Sequence, residues 1–265
     1  MKPRAINGLL FIAPLVVGSY LVARQLVADA DAPAFHKIAL VAATFCVAAA
    51  SFMASRAFAR GDYLRRAWLT NAVAFTVNTI LNGLEGVGPE PLLSWVRGGL
   101  CAVANLGCVL ALWIFGRALR AAGLDEVVPA RERRIGFAIS VVVALAIAGL
   151  PAARSVAAVA AGSVGALTPL FSALGDIAAC VVLVPVLLMA RALRGGVLVW
   201  VLGFLAVSQV AWLLYDAQST VTDLIGGAGF GERWIDGWLI AACALSVTAA
   251  IAQRRILNIE RSSAG

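Results

Sequence analysis

Residues 174–217, LGDIAACVVLVPVLLMARALRGGVLVWVLGFLAVSQVAWLLYDA, contain two long apolar runs separated by the short basic turn at residues 191–196. Each run has about 20 residues, which is the length of a helix that spans the hydrocarbon core of a bilayer. Each also has one aspartate near its end away from the turn, Asp176 in the first run and Asp216 in the second. The stretch therefore predicts a membrane hairpin with a carboxyl group in each helix.

The composition of the whole chain agrees with this interpretation. Of its 265 residues, 62% are hydrophobic and only 13% are charged, whereas about a quarter of a soluble domain is charged. The charged residues are concentrated in short segments between apolar runs. We therefore predict an all-α integral membrane protein, with residues 1–265 forming a single transmembrane domain in contact with the lipid bilayer.

The apolar runs predict eight transmembrane helices. A helix satisfies its own backbone hydrogen bonds inside a membrane, which an isolated strand cannot do. The helices are expected near residues 8–26, 37–58, 67–84, 93–119, 134–150, 167–193, 197–215 and 234–254. Residues 155–164 are small and weakly apolar, and we expect them either to lie along the outer interface or to extend the sixth helix.

Basic residues predict the orientation of these helices. Of the 21 lysines and arginines, 16 lie in the N-terminal segment, the C-terminal tail and the connections after the second, fourth and sixth helices. The positive-inside rule then places both termini in the cytoplasm, and we expect the bacterial inner (plasma) membrane. Because the arginines are spread over separate loops, the net charge of +7 reflects membrane topology, and no nucleic-acid partner is expected.

The first helix has a second interpretation. Lys2 and Arg4 precede a short apolar run, and Ala28-Asp29-Ala30 has the pattern of a signal-peptidase site. Cleavage there would leave seven helices. We favour retention of the helix because an internal repeat gives it a counterpart.

The repeat relates residues 1–130 to residues 131–265. The second and sixth helices end in MASRAFARG (53–61) and MARALRGG (189–196), and the third and seventh end in LE (84–85) and YD (215–216). The fourth and eighth begin with WVRGG (95–99) and WIDGW (234–238). These matches predict two parallel four-helix halves related by an axis along the membrane normal.

Polar side chains in membrane helices mark candidate functional positions, because each needs a partner or a water-filled cavity. They are concentrated in the outer half of the predicted helices, and the sharper hypothesis is a polar pocket that faces the periplasm. The alternative is that the carboxylates pair with arginines or cap helix ends while the asparagines join helices. Asp176 is the deepest of these groups, and we expect it to be protonated or specifically paired. The candidate pocket residues are Asp176, Asp216, Glu85, Asn78, Asn82, Gln209, Arg97, Asp236 and Trp212.

The scarcity of reactive residues excludes several chemistries. Lys2 and Lys37 are the only lysines and His36 is the only histidine, which excludes a retinal Schiff base, bis-histidine haem and histidine-based zinc catalysis. The sequence has no G-x-S-x-G or H-E-x-x-H motif. We therefore expect no catalytic residues, no metal and no cofactor, and a protein that is not an enzyme.

Two stretches resemble the multi-pass N-terminal membrane regions found ahead of GGDEF diguanylate cyclase and histidine-kinase-type bacterial signalling domains. One runs from LRRAW (64–68) to LE (84–85), and the other from LGD (174–176) through YD (215–216) to the last helix, which ends near Arg255. The resemblance implies a membrane sensor that transmits a signal through its last helix. Residues 253–265 are too few for an output domain, so we expect a separate cytoplasmic signalling protein as the partner.

The sequence thus favours a non-enzymatic sensory or regulatory membrane module, and a homodimer is compatible with that role. A small-solute or cation/proton-coupled transporter that uses the same acidic residues is the first alternative. A structural subunit of a membrane complex is the second.

Overall fold

The computed structural model describes residues 8–84, 92–123, 126, 128–192, 198–225 and 232–263. Throughout these residues the chain forms helices joined by short turns, without a strand. The predicted all-α class is therefore confirmed for the part of the chain that the structure describes. Glu85 and the glycine-rich segment 226–231 lie outside the described residues.

Within the described residues, eight α-helices follow the predicted order. A 3₁₀ turn, Gly8–Phe11, leads into α1, and a second one, Val164–Ala166, leads into α6. The helices are α1 (Ile12–Leu26), α2 (Ala32–Ser55), α3 (Tyr63–Gly83), α4 (Leu92–Ala121), α5 (Ala130–Ala160), α6 (Leu167–Ala192), α7 (Leu198–Ile225) and α8 (Glu232–Ser263).

The expectation for residues 155–164 was wrong. Residues 155–160 neither extend α6 nor form a separate interfacial segment, because α5 continues to Ala160 with Pro151 inside it. A proline removes one helical hydrogen bond, but neighbouring helices allow transmembrane helices to accommodate it. The expected end of this helix near residue 150 was therefore about ten residues too early.

Seven of the described helices are long and apolar enough to cross a membrane, which makes this a multi-pass membrane protein. The exception is α3, whose six asparagines and threonines between residues 70 and 82 lower its apolar character. It nevertheless packs extensively against α2 and α4 and contains Trp68, which is fully buried against Phe115 of α4. The polar residues of α3 are therefore held inside the helix assembly.

Six helices form a closed ring in which each packs against the next, in the order α2, α3, α4, α6, α7, α8 and back to α2. The remaining two lie outside the ring, with α1 packed mainly on α8 and α5 packed mainly on α6. Within the ring, α6 and α7 have the least extensive interface. The final helix, α8, is the most buried span, with 67% of its apolar stretch buried against 17% for the first span.

Small hydroxyl and amide groups join the helices of the ring. Asn71 of α3 donates a hydrogen bond to Ser51 of α2 at 2.9 Å. The Ser208 hydroxyl of α7 donates to the Ala242 carbonyl of α8 at 2.8 Å, and its oxygen lies 2.8 Å from the hydroxyl of Ser246. Such groups allow close backbone approach and hydrogen bonding where no water is available. They fix the packing of α2 on α3 and of α7 on α8.

Candidate functional site

The six helices of the ring, together with α5, line a cavity of about 440 Å³ that contains several polar side chains. Its walls come from the beginnings of α2, α4, α6 and α8 and from the later halves of α3, α5 and α7, so it occupies one half of the bundle. Seven of the nine residues selected from the sequence line it together: Asn78, Asn82, Arg97, Asp176, Gln209, Trp212 and Asp216. Asp236 lies beside the cavity, and Glu85 falls outside the described residues.

The deepest feature of the cavity is a pair of carboxyl groups. Asp176 of α6 and Asp216 of α7 are close enough for a hydrogen bond between their side chains. A carboxylate can only accept, so such a bond requires a proton on one of the two groups. The second oxygen of Asp176, Oδ2, is buried without a hydrogen-bond partner. The pair therefore presents one oxygen, Oδ2 of Asp176, that takes part in no hydrogen bond among the described residues.

The only cation among the described wall residues, apart from the titratable His36, is Arg97, which lies in the second turn of α4. Its Nε atom is buried and has no hydrogen-bond partner among the described residues. A buried guanidinium N–H left without an acceptor is energetically costly. The cavity thus has an unused charged donor as well as an unused acceptor.

Close contacts between α4 and α6 form one wall of the cavity. The Cys101 thiol donates to the Thr168 carbonyl at 3.4 Å, and the Asn105 amide donates to the Cys101 carbonyl at 3.0 Å. Gly175 faces Asn105 so closely that a Cβ would lie 2.5 Å from the asparagine Oδ1. The glycine before Asp176 therefore allows α4 to approach α6 at the level of the carboxyl pair.

A second polar cluster borders the cavity and was missed by the sequence interpretation. Nδ1 of His36 on α2 lies 3.0 Å from the Tyr20 hydroxyl of α1 and 3.3 Å from Oδ2 of Asp236 on α8. Tyr20 also stacks on Phe35, with ring centroids 5.6 Å apart. Asp236 was expected to line the pocket, but instead it helps to join three helices. The contact depends on how distant helices meet, so sequence spacing contains no signal for it.

Other wall residues were also missed. Asn105, Tyr215 and Ser219 line the cavity, as do residues of α2 and α5, two helices that the sequence did not assign to the pocket. Asn105 was visible as a polar residue within an apolar run, whereas the others had no distinguishing spacing. No three His, Cys, Asp or Glu side chains of the described residues are grouped to hold a metal ion.

Comparison of the chain with protein-family models, curated proteins and solved structures finds no match. The chemistry of the cavity therefore carries the functional argument. Carboxyl, guanidinium and amide groups around a chamber of this size form a binding site for a small polar molecule, since ligand pockets commonly enclose about 300–1,000 Å³.

Proposed function

We propose that the protein is a non-enzymatic sensory or regulatory membrane module whose cavity binds a small polar ligand. One observation carries the proposal: the Asp176–Asp216 pair joins α6 and α7, the two neighbours with the least extensive interface in the ring. A ligand that competes for this pair would change how α6 and α7 pack. Such a ligand shifts the population of packing states by its different affinity for each.

The path from the cavity to the cytoplasm runs through α7 and α8. These helices pack extensively and share the buried Ser208–Ser246 contact. The helix α8 continues past its apolar stretch, Trp234–Asn258, to Ser263. A change in α7 would therefore be transmitted to the end of α8, where we propose that a cytoplasmic signalling protein binds.

The topology that belongs to this proposal has eight transmembrane helices with both termini in the cytoplasm of a bacterial cell. Because α3 packs between two membrane-spanning helices, we count it as the eighth span. The orientation is supported by the 16 of 21 basic residues that lie on the side of the termini. In this orientation the cavity faces the periplasm.

The arrangement of the ring supports the proposed repeat. The repeat pairs α2 with α6, α3 with α7 and α4 with α8. Exchanging the members of each pair leaves the cyclic order of the ring, α2, α3, α4, α6, α7, α8, unchanged. The contacts of α1 and α5 follow this rule less closely, because α5 packs mainly on α6 whereas α1 has little contact with α2. We infer that two related halves form the ring and that the outer helices have diverged.

The test is purification of the tagged full-length protein in a mild detergent, followed by mass spectrometry of co-purifying proteins. We expect a cytoplasmic signalling protein in stoichiometric amount, and a changed amount with Asp176→Asn. The matched control is Glu132→Gln, an exposed carboxylate in the first turn of α5. A protein that purifies alone in all three forms would contradict the proposal.

A second candidate is a small-solute transporter coupled to cations or protons, favoured by two carboxyl groups within hydrogen-bonding reach of each other on adjacent membrane helices. Such pairs are the usual elements of proton paths. Reconstituted vesicles with an imposed pH gradient distinguish this role. Solute accumulation that disappears with Asp176→Asn would favour transport, whereas an effect confined to the co-purifying protein would favour sensing.

A further inference from the structure

We propose that the cavity ligand is an extended zwitterion, with an ammonium group at the Asp176–Asp216 pair and a carboxylate at Arg97. This inference rests on the proposed ligand-binding function and specifies the chemical class of the ligand. It depends on three properties of the cavity: its unsatisfied atoms, its charge balance and the separation of its charged groups.

The unsatisfied atoms define what the ligand must offer. Asp176 is 9% exposed, and its buried Oδ2 has no donor among the described residues. Arg97 has a buried Nε that likewise meets no acceptor in the described part of the chain. Leaving such an atom unpaired is energetically costly, and more so for a charged group. A ligand that donates at one end and accepts at the other satisfies both atoms.

The charge balance of the wall favours a ligand that has both charges. Arg97 is the only arginine or lysine among the described wall residues, and Asp176 and Asp216 are the only carboxyl groups. His36 also lines the cavity, but its ring faces Asp236. A simple anion would leave Oδ2 of Asp176 without a donor, and a simple cation would leave Nε of Arg97 without an acceptor. A zwitterion satisfies both atoms.

The separation of the charged groups favours an extended molecule. Gly175, next to Asp176, contacts Asn105, so the carboxyl pair lies near the level of Asn105 on α4. Arg97 precedes Asn105 by eight residues, which corresponds to roughly 12 Å along the helix axis. The long arginine side chain shortens this gap, but the two charges remain at different levels. An ω-amino acid fits this geometry better than an α-amino acid.

The wall between the two charged groups suits such a molecule. Trp212 and Tyr215 of α7 provide aromatic surface near the carboxyl pair, which favours an ammonium group. Leu81 of α3 and Ala104 of α4 add apolar surface for a methylene chain, and Asn78 and Asn82 add hydrogen-bonding amides. The cavity therefore combines two charged groups with a partly apolar wall.

The test is calorimetric titration of the purified full-length protein with 6-aminohexanoate, hexanoate, hexylamine and glycine. We expect 6-aminohexanoate to bind most tightly. Asp176→Asn should weaken the binding of 6-aminohexanoate at least tenfold and leave the binding of hexanoate unchanged. Arg97→Gln should weaken the binding of 6-aminohexanoate to a similar extent and leave the binding of hexylamine unchanged. The control Arg154→Gln removes an exposed arginine of α5 and should alter nothing.

Folding is checked by circular dichroism and size-exclusion chromatography, and Arg97→Lys provides a milder variant that keeps the charge but loses the planar fork of donors. Binding of hexylamine as tight as that of 6-aminohexanoate would overturn the zwitterion. Equal binding of glycine would overturn the extended shape, and absence of binding by all four compounds would overturn the ligand class. None of these outcomes depends on a co-purifying protein, so failure here is distinguishable from failure of the proposed sensory role.

Discussion

Gly175 of α6 lies directly against the side chain of Asn105 of α4, and a Cβ on that glycine would be 2.5 Å from both Cγ and Oδ1 of the asparagine. No other described glycine has so close a neighbour. Because Asp176 follows immediately, the depth of the carboxyl pair depends on this contact. The absence of one methyl group thus determines how closely two walls of the cavity approach.

Gly175→Ala should consequently destabilise the protein by about 1–3 kcal/mol, the usual cost of inserting a methyl group into a packed interface. Thermal unfolding in detergent, followed by circular dichroism, measures the change. The matched control is Gly203→Ala on α7, where a Cβ meets nothing within 4 Å. That substitution should stabilise the helix by up to about 1 kcal/mol. Equal effects of the two would contradict the close packing at Gly175.

The Asn71–Ser51 hydrogen bond between α3 and α2 should have a measurable coupling energy. In a double-mutant cycle with Asn71→Ala and Ser51→Ala, we expect about 0.6 kcal/mol and at most about 1.7 kcal/mol, the range found for hydrogen bonds between membrane helices. Ser140 bonds only to a carbonyl of its own helix. A cycle that combines Ser140→Ala with Ser51→Ala should therefore be additive.

Tyr20→Phe should loosen α1 without disturbing the ring. The substitution removes the hydroxyl that contacts His36 and keeps the ring stacked on Phe35. A single hydrogen bond contributes about 0.5–1.5 kcal/mol, and α1 has little buried surface to compensate. Hydrogen exchange should accelerate in residues 12–26 and stay unchanged in α7. Faster exchange throughout the chain would show instead that Tyr20 supports the ring.

Water access to the cavity can be measured with two serines of α7. Ser219 lines the cavity, whereas Ser208 is fully buried against α8. In a cysteine-free background, Ser219→Cys should react with a small charged methanethiosulfonate reagent, and Ser208→Cys should resist it. Reaction from the periplasmic side would support the proposed orientation. Reaction only from the cytoplasmic side would contradict it.

Hydropathy predicts the order and approximate positions of the helices, because lipid imposes one length and one polarity on every span. It fails for the end of α5, where neighbouring helices allow Pro151 inside the helix. The same dependence on neighbours explains α3, whose asparagines and threonines are tolerated because α2 and α4 satisfy or surround them. A pattern confined to one helix contains no information about the helices next to it.

The candidate cavity shows the same division between local and distant information. Asp176, Asp216 and Asn82 could be selected because each is a polar residue in an apolar run. Their grouping depends on ring order, which no spacing within one helix encodes. Asp236 lies next to the cavity and is not among the residues that line it, since its Oδ2 is 3.3 Å from Nδ1 of the lining residue His36 on another helix. The sequence selected seven of the residues that line the cavity, and the packing of distant helices determines the others.

The closure of the ring between α2 and α8 has a consequence for biogenesis. A ribosome delivers α2 well before α8, so the earlier helices of the ring must wait for α8, the most buried of the candidate spans. Until α8 inserts, α2 and α7 lack their closing neighbour, and the small polar groups Ser208 and Thr44 lack the cover of the finished bundle. Insertion of α8 completes the core and the cavity in one step. A nascent or truncated chain without α8 would therefore leave the packing faces of α2 and α7 exposed to the quality-control proteins of the membrane.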